Sequence, residues 1–165
     1  MDPSEYQRLV DSFRNIQVFG EKKFETFPEE TKIAAFSVTN EENFEFGVLF
    51  FNFLAQIFKS DCDFGFIDEN AEDENLVSLR EGISNAEVVI FAFFIPSEIL
   101  DDDEIIFKLN HIVQNLAESK KLVGIFFSAN HIPEELNIPV KINMPTMDQS
   151  SVAAAAMFLV GRKPY

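Results

Sequence analysis

The segment Glu87-Val88-Val89-Ile90-Phe91-Ala92-Phe93-Phe94 is apolar at every position after its first. A strand with one solvated face alternates apolar and polar residues, so an unbroken run of β-branched and aromatic residues at strand length predicts a strand covered on both faces. Strands of that kind belong to parallel sheets with helices above and below, which narrows the chain to an α/β architecture.

The rest of the chain supplies the partners that such a strand needs. Lys32 to Val38, Phe64 to Ile67 and Leu122 to Phe127 are short apolar runs between polar residues, and Pro139 to Met144 is a weaker one. Helical spacing lies between them. Asp2 and Pro3 form a start signal for a helix through Tyr6, Leu9, Val10 and Phe13 that ends at about Arg14. A second face reads Phe46, Leu49, Phe50, Phe53, Leu54 and Ile57, and a short one Leu76, Leu79 and Ile83. Ile105, Leu109, Ile112, Val113 and Leu116 mark the next helix, with Lys120 and Lys121 placed to complement its negative end. The last helix carries Val152, Ala155, Ala156 and Leu159 and stops at Gly161, and its alanines predict close packing against the sheet. Gly20 to Thr31 is a charged connector, Ile95 to Asp103 an acidic loop, and Ser128 to Asn137 a turn. Alternating strand and helix predict a doubly wound, mainly parallel sheet of about five or six strands with helices on both faces. At 165 residues, with no break in composition, positions 1–165 are expected to form one domain.

Charge excludes some functions. Thirteen Lys and Arg face 28 Asp and Glu, a formal charge of -15 that repels phosphate backbones and anionic lipid, so neither nucleic acid nor membrane is an expected partner. Cys62 is the single cysteine, which rules out an intrachain disulfide and predicts a packing role. The opening Met1-Asp2-Pro3-Ser4-Glu5 lacks a basic then apolar pattern, and the sequence as written reads as cytoplasmic.

In a doubly wound sheet a ligand crevice lies beyond the carboxyl ends of the strands, here the loops after Val38, Ile67, Phe94, Phe127 and Met144. Thr39-Asn40-Glu41-Glu42-Asn43 has no glycine and two carboxylates, which disfavours nucleotide and flavin phosphates. A phosphoacceptor site would need a lysine where Asn143-Met144-Pro145 stands. His111 sits among helical apolar residues and is given no chemistry. Asn130 and His131 follow a strand and could face a sugar or simply form a turn. Glu98 and Asp101 to Glu104 offer carboxylates of the kind glycoside hydrolysis uses in pairs, although acids just before a helix also cap its amides. No metal ligand set and no cofactor are expected.

The order of segments resembles the C-terminal α/β sandwich domain of glycoside hydrolase family 3, above all its β-N-acetylhexosaminidase branch, across nearly the whole chain. Ile16-Gln17-Val18-Phe19 through Phe27-Pro28 is similar to the family's opening strand and "LP" turn, and Lys32 to Val38 to its next strand. Ala86-Glu87-Val88-Val89-Ile90-Phe91 resembles "A-D-V-V-I-V", Leu116 to Ser128 the helix and "kpvVlv" strand, and Ala153 to Pro164 "a-a-a-a-v-L-f-G-k-x-n-P". The resemblance implies a domain that borders a β-glucoside or β-N-acetylglucosaminide cleft while a preceding barrel carries the aspartate nucleophile and, in the hexosaminidase branch, a histidine acid. That barrel is the implied partner and a carbohydrate the implied ligand. In the β-glucosidase branch a glutamate of the sandwich domain is the acid, and Glu98 is the candidate for it here, although the residues around it do not match the family's. Asn40, Glu98, Asn130 and His131 are the cleft or interface candidates. Ile95, Pro96, Ile99, Leu100, Ile132 and Pro133 stand beside them, either as an uncovered docking surface or folded back on their own domain. The alternative reading is a free-standing, non-enzymatic interaction module.

Overall fold

The structure, a computed structural model, describes residues 2–68, 83–100, 103–116, 120–127 and 132–164. Its elements are α1 (Pro3–Arg14), β1 (Gln17–Phe19), β2 (Ile33–Thr39), α2 (Phe44–Ile57), β3 (Asp63–Asp68), β4 (Val88–Phe93), α3 (Ser97–Leu100), α4 (Asp103–Leu116), β5 (Lys121–Phe127), β6 (Val140–Met144) and α5 (Gln149–Leu159). They build one six-stranded sheet in the order β1-β6-β5-β4-β2-β3. Five strands are parallel, and β1 alone runs antiparallel, pairing Gln17 to Phe19 with Asn143 to Lys141. The doubly wound reading is borne out.

Local chemistry accounts for the helix ends. Asp2 caps α1 by accepting from the Ser4 amide at 3.1 Å, with Pro3 in the first turn where no amide hydrogen is needed. Asp148 caps α5 in the same manner through the Ser151 amide at 2.8 Å. The chain leaves α5 through Gly161 at φ 77°, a left-handed conformation that glycine takes without steric cost.

Side chains alternate off the strands into two cores. On one face Ile33, Ala35, Val88, Ile90, Val123 and Ile125 meet α1, α2 and α5, whose Ala154, Ala155 and Ala156 are all buried. Ala34, Phe36, Val38, Val89, Phe91 and Phe126 point the other way, onto Leu100, Ile105, Leu109 and Val113. Rings dominate both: Phe93 stacks on Phe126 at 4.6 Å, and Phe94 on Phe127 at 4.5 Å. The six residues of β4 are all buried, as a strand covered on both faces requires.

Three details differ from the pattern reading. The buried face of α2 is Gly47, Phe50, Phe51, Leu54 and Ile57, while Phe46, Leu49 and Phe53 are only partly covered. A hydrophobicity count cannot see Gly47, whose missing side chain leaves room for Ser37, Thr39 and Phe66. The acidic loop holds one helical turn, α3. Lys120 donates to the Ser84 and Ala86 carbonyls at 3.3 and 2.5 Å, while Lys121 opens β5. The short helix expected at Leu76, Leu79 and Ile83 lies almost wholly outside the described residues, Ile83 itself being buried.

Candidate functional site

Strand order places the crevice. From β2 the chain steps outward to β3, then returns to β4 on the other side of β2 and proceeds to β5 and β6. The winding reverses between β2 and β4, and ligands of doubly wound sheets bind beyond the carboxyl ends of such a pair. The loops there begin at Asn40 and Phe94.

This crevice is bridged by the protein itself. Asn43 stands at the N-cap of α2 without making a capping bond, and its Nδ2 donates to the Phe94 carbonyl at 2.8 Å. Asn40 Oδ1 accepts from the Asn43 amide at 2.9 Å, so Asn40 shapes the turn that presents Asn43. The Phe94 amide in turn donates to the Val38 carbonyl at 2.8 Å. The structure thus brings Asn40 and Glu98 to the same end of adjacent strands. Glu98, in α3, is exposed and makes no hydrogen bond or ion pair with the described residues. Nothing in its described surroundings orients it. Asn130 and His131 lie outside the described residues, as do Asp101 and Asp102.

The apolar residues of these loops fold back on their own domain. Ile95 and Leu100 are each 1% exposed within the second core, Pro133 is buried, and Ile99 and Ile132 pack against that core. Of that set only Pro96 is exposed. The expectation of an uncovered apolar docking surface built from them is corrected accordingly: α3 turns its apolar side inward because one helical turn suffices to seat Leu100 under the sheet.

Beside Asn40, two further asparagines, Asn43 and Asn143, supply polar groups near this end, and neither is a site candidate from the sequence. An asparagine just before an apolar helix was the available signal for Asn43. Asn143, on β6, alternates with the buried Val140, Ile142 and Met144 and so shares the second face with Lys141. Its Oδ1 is buried without a hydrogen-bond partner. No sequence signal marks that.

Away from this end, burial shifts two titratable groups. Burial, reinforced by Asp61 and Asp63, pushes the Cys62 thiol up, which disfavours the nucleophilic thiolate. Burial draws Lys141 down against the opposing pull of Glu134, Glu135 and Glu21, and its Nζ donates to the Pro133 carbonyl at 2.9 Å. His111 is exposed on α4. Among the described residues no group of three or more His, Cys, Asp or Glu is placed to hold a metal ion, and no helix is long and apolar enough to cross a membrane. A cavity of about 260 Å³ between α1, α2 and the start of α5, and one of about 510 Å³ beside Lys141, are lined by neither Asn40, Asn43 nor Glu98.

No protein-family model matches the sequence, and no curated protein does. Solved structures share the fold. A glycoside hydrolase family 3 β-N-acetylglucosaminidase from Paenibacillus sp. str. FPU-7 aligns with a TM-score of 0.68 at 11% identity, over 92% of this chain and 29% of that one. A fungal multi-domain family 3 β-N-acetylglucosaminidase aligns at 0.63 and 17% identity, over 91% and 17%. β-Glucosidase 3B from Thermotoga neapolitana aligns at 0.59 and 9% identity, over 93% and 28%. The chain spans less than a third of each of these proteins and has the fold of one part of them.

Proposed function

We infer that this chain is the C-terminal, cleft-bordering domain of a family 3-type glycoside hydrolase acting on β-linked N-acetylglucosamine or glucose, and that it is catalytically incomplete without a barrel partner. The supporting observation is the asymmetric overlap: nearly all of this chain, 92%, corresponds to 29% of a β-N-acetylglucosaminidase. In this reading the loops carrying Asn40, Glu98, Asn130 and His131 face the partner and the sugar. Glu98 is the one carboxylate assigned as a candidate acid, and its exposure leaves it for the partner to orient. A glycosidase needs two carboxyl groups at a fixed separation or an equivalent acid from elsewhere, which one unoriented glutamate does not supply.

The competing reading, a free-standing interaction module, draws on the crevice closed by Asn43 and on the inward-folded loops. One experiment separates the two. The purified chain is assayed on aryl β-N-acetylglucosaminides and aryl β-glucosides, alone and after mixing with a family 3 barrel encoded beside it. The expected result is no turnover alone and turnover with the barrel. Turnover by the chain alone, abolished by Glu98→Gln, would overturn the incomplete-domain reading, and inactivity in both arms with no association by calorimetry would favour the module.

A further inference from the structure

In one pocket at the opposite, amino end of the strands the charge balance inverts. The chain as a whole carries 28 Asp and Glu against 13 Lys and Arg. Yet a cavity of about 260 Å³ at the start of β5 and β6 is lined, among the described residues, by Lys22, Lys23, Lys120 and Lys121 with Glu25 as the one carboxylate. Among the described residues Lys22, Lys23 and Lys121 make no ion pair. An acidic protein has ample carboxylates with which to neutralise a lysine, yet these three exposed lysines line one pocket together with Lys120 and favour an anion beside them.

The walls that hold these lysines are anchored. The Lys22 amide donates to the Pro139 carbonyl at 3.0 Å, and the Phe27 amide to the Leu159 carbonyl at 2.8 Å. Phe24 stacks on Phe158 at 5.0 Å. Gly20, at φ 118°, turns the chain so tightly against Pro139 that an added Cβ would collide with that carbonyl. Lys120 is fixed by its bonds to Ser84 and Ala86, and the Lys121 amide is held by the Glu87 carbonyl at 3.2 Å. Between the charges lie the apolar surfaces of Phe27, Leu122 and Pro139.

We propose that this pocket binds a compact dianion with a small carbon body, such as a phosphate monoester or a short dicarboxylate. Two or more negative charges answer the unpaired lysines, and the apolar wall accepts the carbon portion. At about 260 Å³ the pocket falls below the usual range for drug-sized ligands, which suits a ligand of only a few carbon atoms. The site is independent of the glycosidase reading, lying at the other end of the sheet from Asn40 and Glu98.

The test is a titration of the full chain with glycerol 2-phosphate and with succinate at fixed ionic strength, followed by amide nuclear magnetic resonance shifts. Glycerol and sodium chloride serve as controls. Saturable shifts confined to Lys22, Lys23, Lys121 and Leu122 with either dianion are expected, the phosphate ester alone pointing to phosphoryl recognition and both pointing to charge and size. The exposed triple variant Lys22→Gln, Lys23→Gln, Lys121→Gln is expected to weaken binding at least about tenfold. Removing three cations elsewhere, by Arg8→Gln, Arg14→Gln and Lys163→Gln, is expected to leave it unchanged. No saturable shift, an equal response to chloride, or equal weakening by the remote variant would overturn the proposal.

Discussion

Strands β4 and β3 flank the same neighbour, β2, run parallel to it and are six residues long. Every residue of β4 is buried, whereas only Ile67 of β3 is, and Phe64 remains 38% exposed. Each segment holds two phenylalanines, but β4 is apolar throughout whereas Asp63, Gly65 and Asp68 interrupt β3. Composition follows position: β4 has strands on both sides, while β3 closes the sheet. The edge is compensated by rings from α2, with Phe51 stacked on Phe64 at 4.5 Å and Phe44 tilted against Phe66 at 4.5 Å. Gly65 gives its space to the ring of Phe36. A central strand is thus held by burial on all sides, and an edge strand by a few specific contacts.

The sharpest test of that contrast deletes one ring from each strand. Phe91→Ala empties a fully buried site beside Phe36 and is expected to lower stability by about 3–5 kcal/mol. Phe64→Ala removes a stacked but partly solvated ring and is expected to lower it by about 1 kcal/mol. Denaturant melts of the two variants decide it. Similar losses would mean that the edge is as deeply integrated as the centre.

An effect smaller than that of Phe91→Ala probes the seam between β2 and β4. Asn43→Ala leaves the Phe94 carbonyl without its side-chain donor and is expected to cost about 1–2 kcal/mol. The loss should be local: amide exchange at Phe94, which donates to Val38, should quicken while β3 is unaffected. Quickened exchange across the whole sheet would show that the bridge supports the entire fold and not only the crevice.

These contrasts also explain how much the sequence disclosed. A run such as Val88 to Phe93 announces itself because burial on both faces demands apolar residues at every position. The α1 start was equally legible, since Asp2 and Pro3 act within a few residues of themselves. The candidate site was much less so. Topology alone puts Asn40 and Glu98 at the carboxyl end of the sheet, but what Asn40 does depends on Asn43, and what Asn43 does depends on a carbonyl 51 residues away. Lys120 follows the same rule, its partners lying 36 and 34 residues back. The inward turn of Ile95 and Leu100 was likewise open, because an apolar loop residue has the same composition whether it covers its own core or awaits a partner.

The smallest expected effect concerns how the edge strand is tied down at its start. Glu29, in the connector before β2, accepts from Arg162 Nε and Nη2 at 2.9 and 2.6 Å and pairs with Lys59 at 3.4 Å, just before β3. The Lys59 amide also donates to the Glu29 carbonyl at 2.8 Å. Hydrogen bonds from Arg162, aided by its charge and by Lys59, hold the Glu29 carboxyl below its ordinary value of 4.5. A carboxylate depressed in the folded state adds stability that is complete above its unfolded value and is lost as pH falls through the folded one. Glu29→Gln should therefore melt slightly below the parent at neutral pH, the gap closing as pH falls below 4.5 and the parent carboxylate takes up its proton. The partners are partly exposed, so added salt should narrow the gap as well, which it would not do for Phe91→Ala. A gap that ignores both pH and salt would mean that the glutamate acts through packing, and that the edge is held in the same way as the centre.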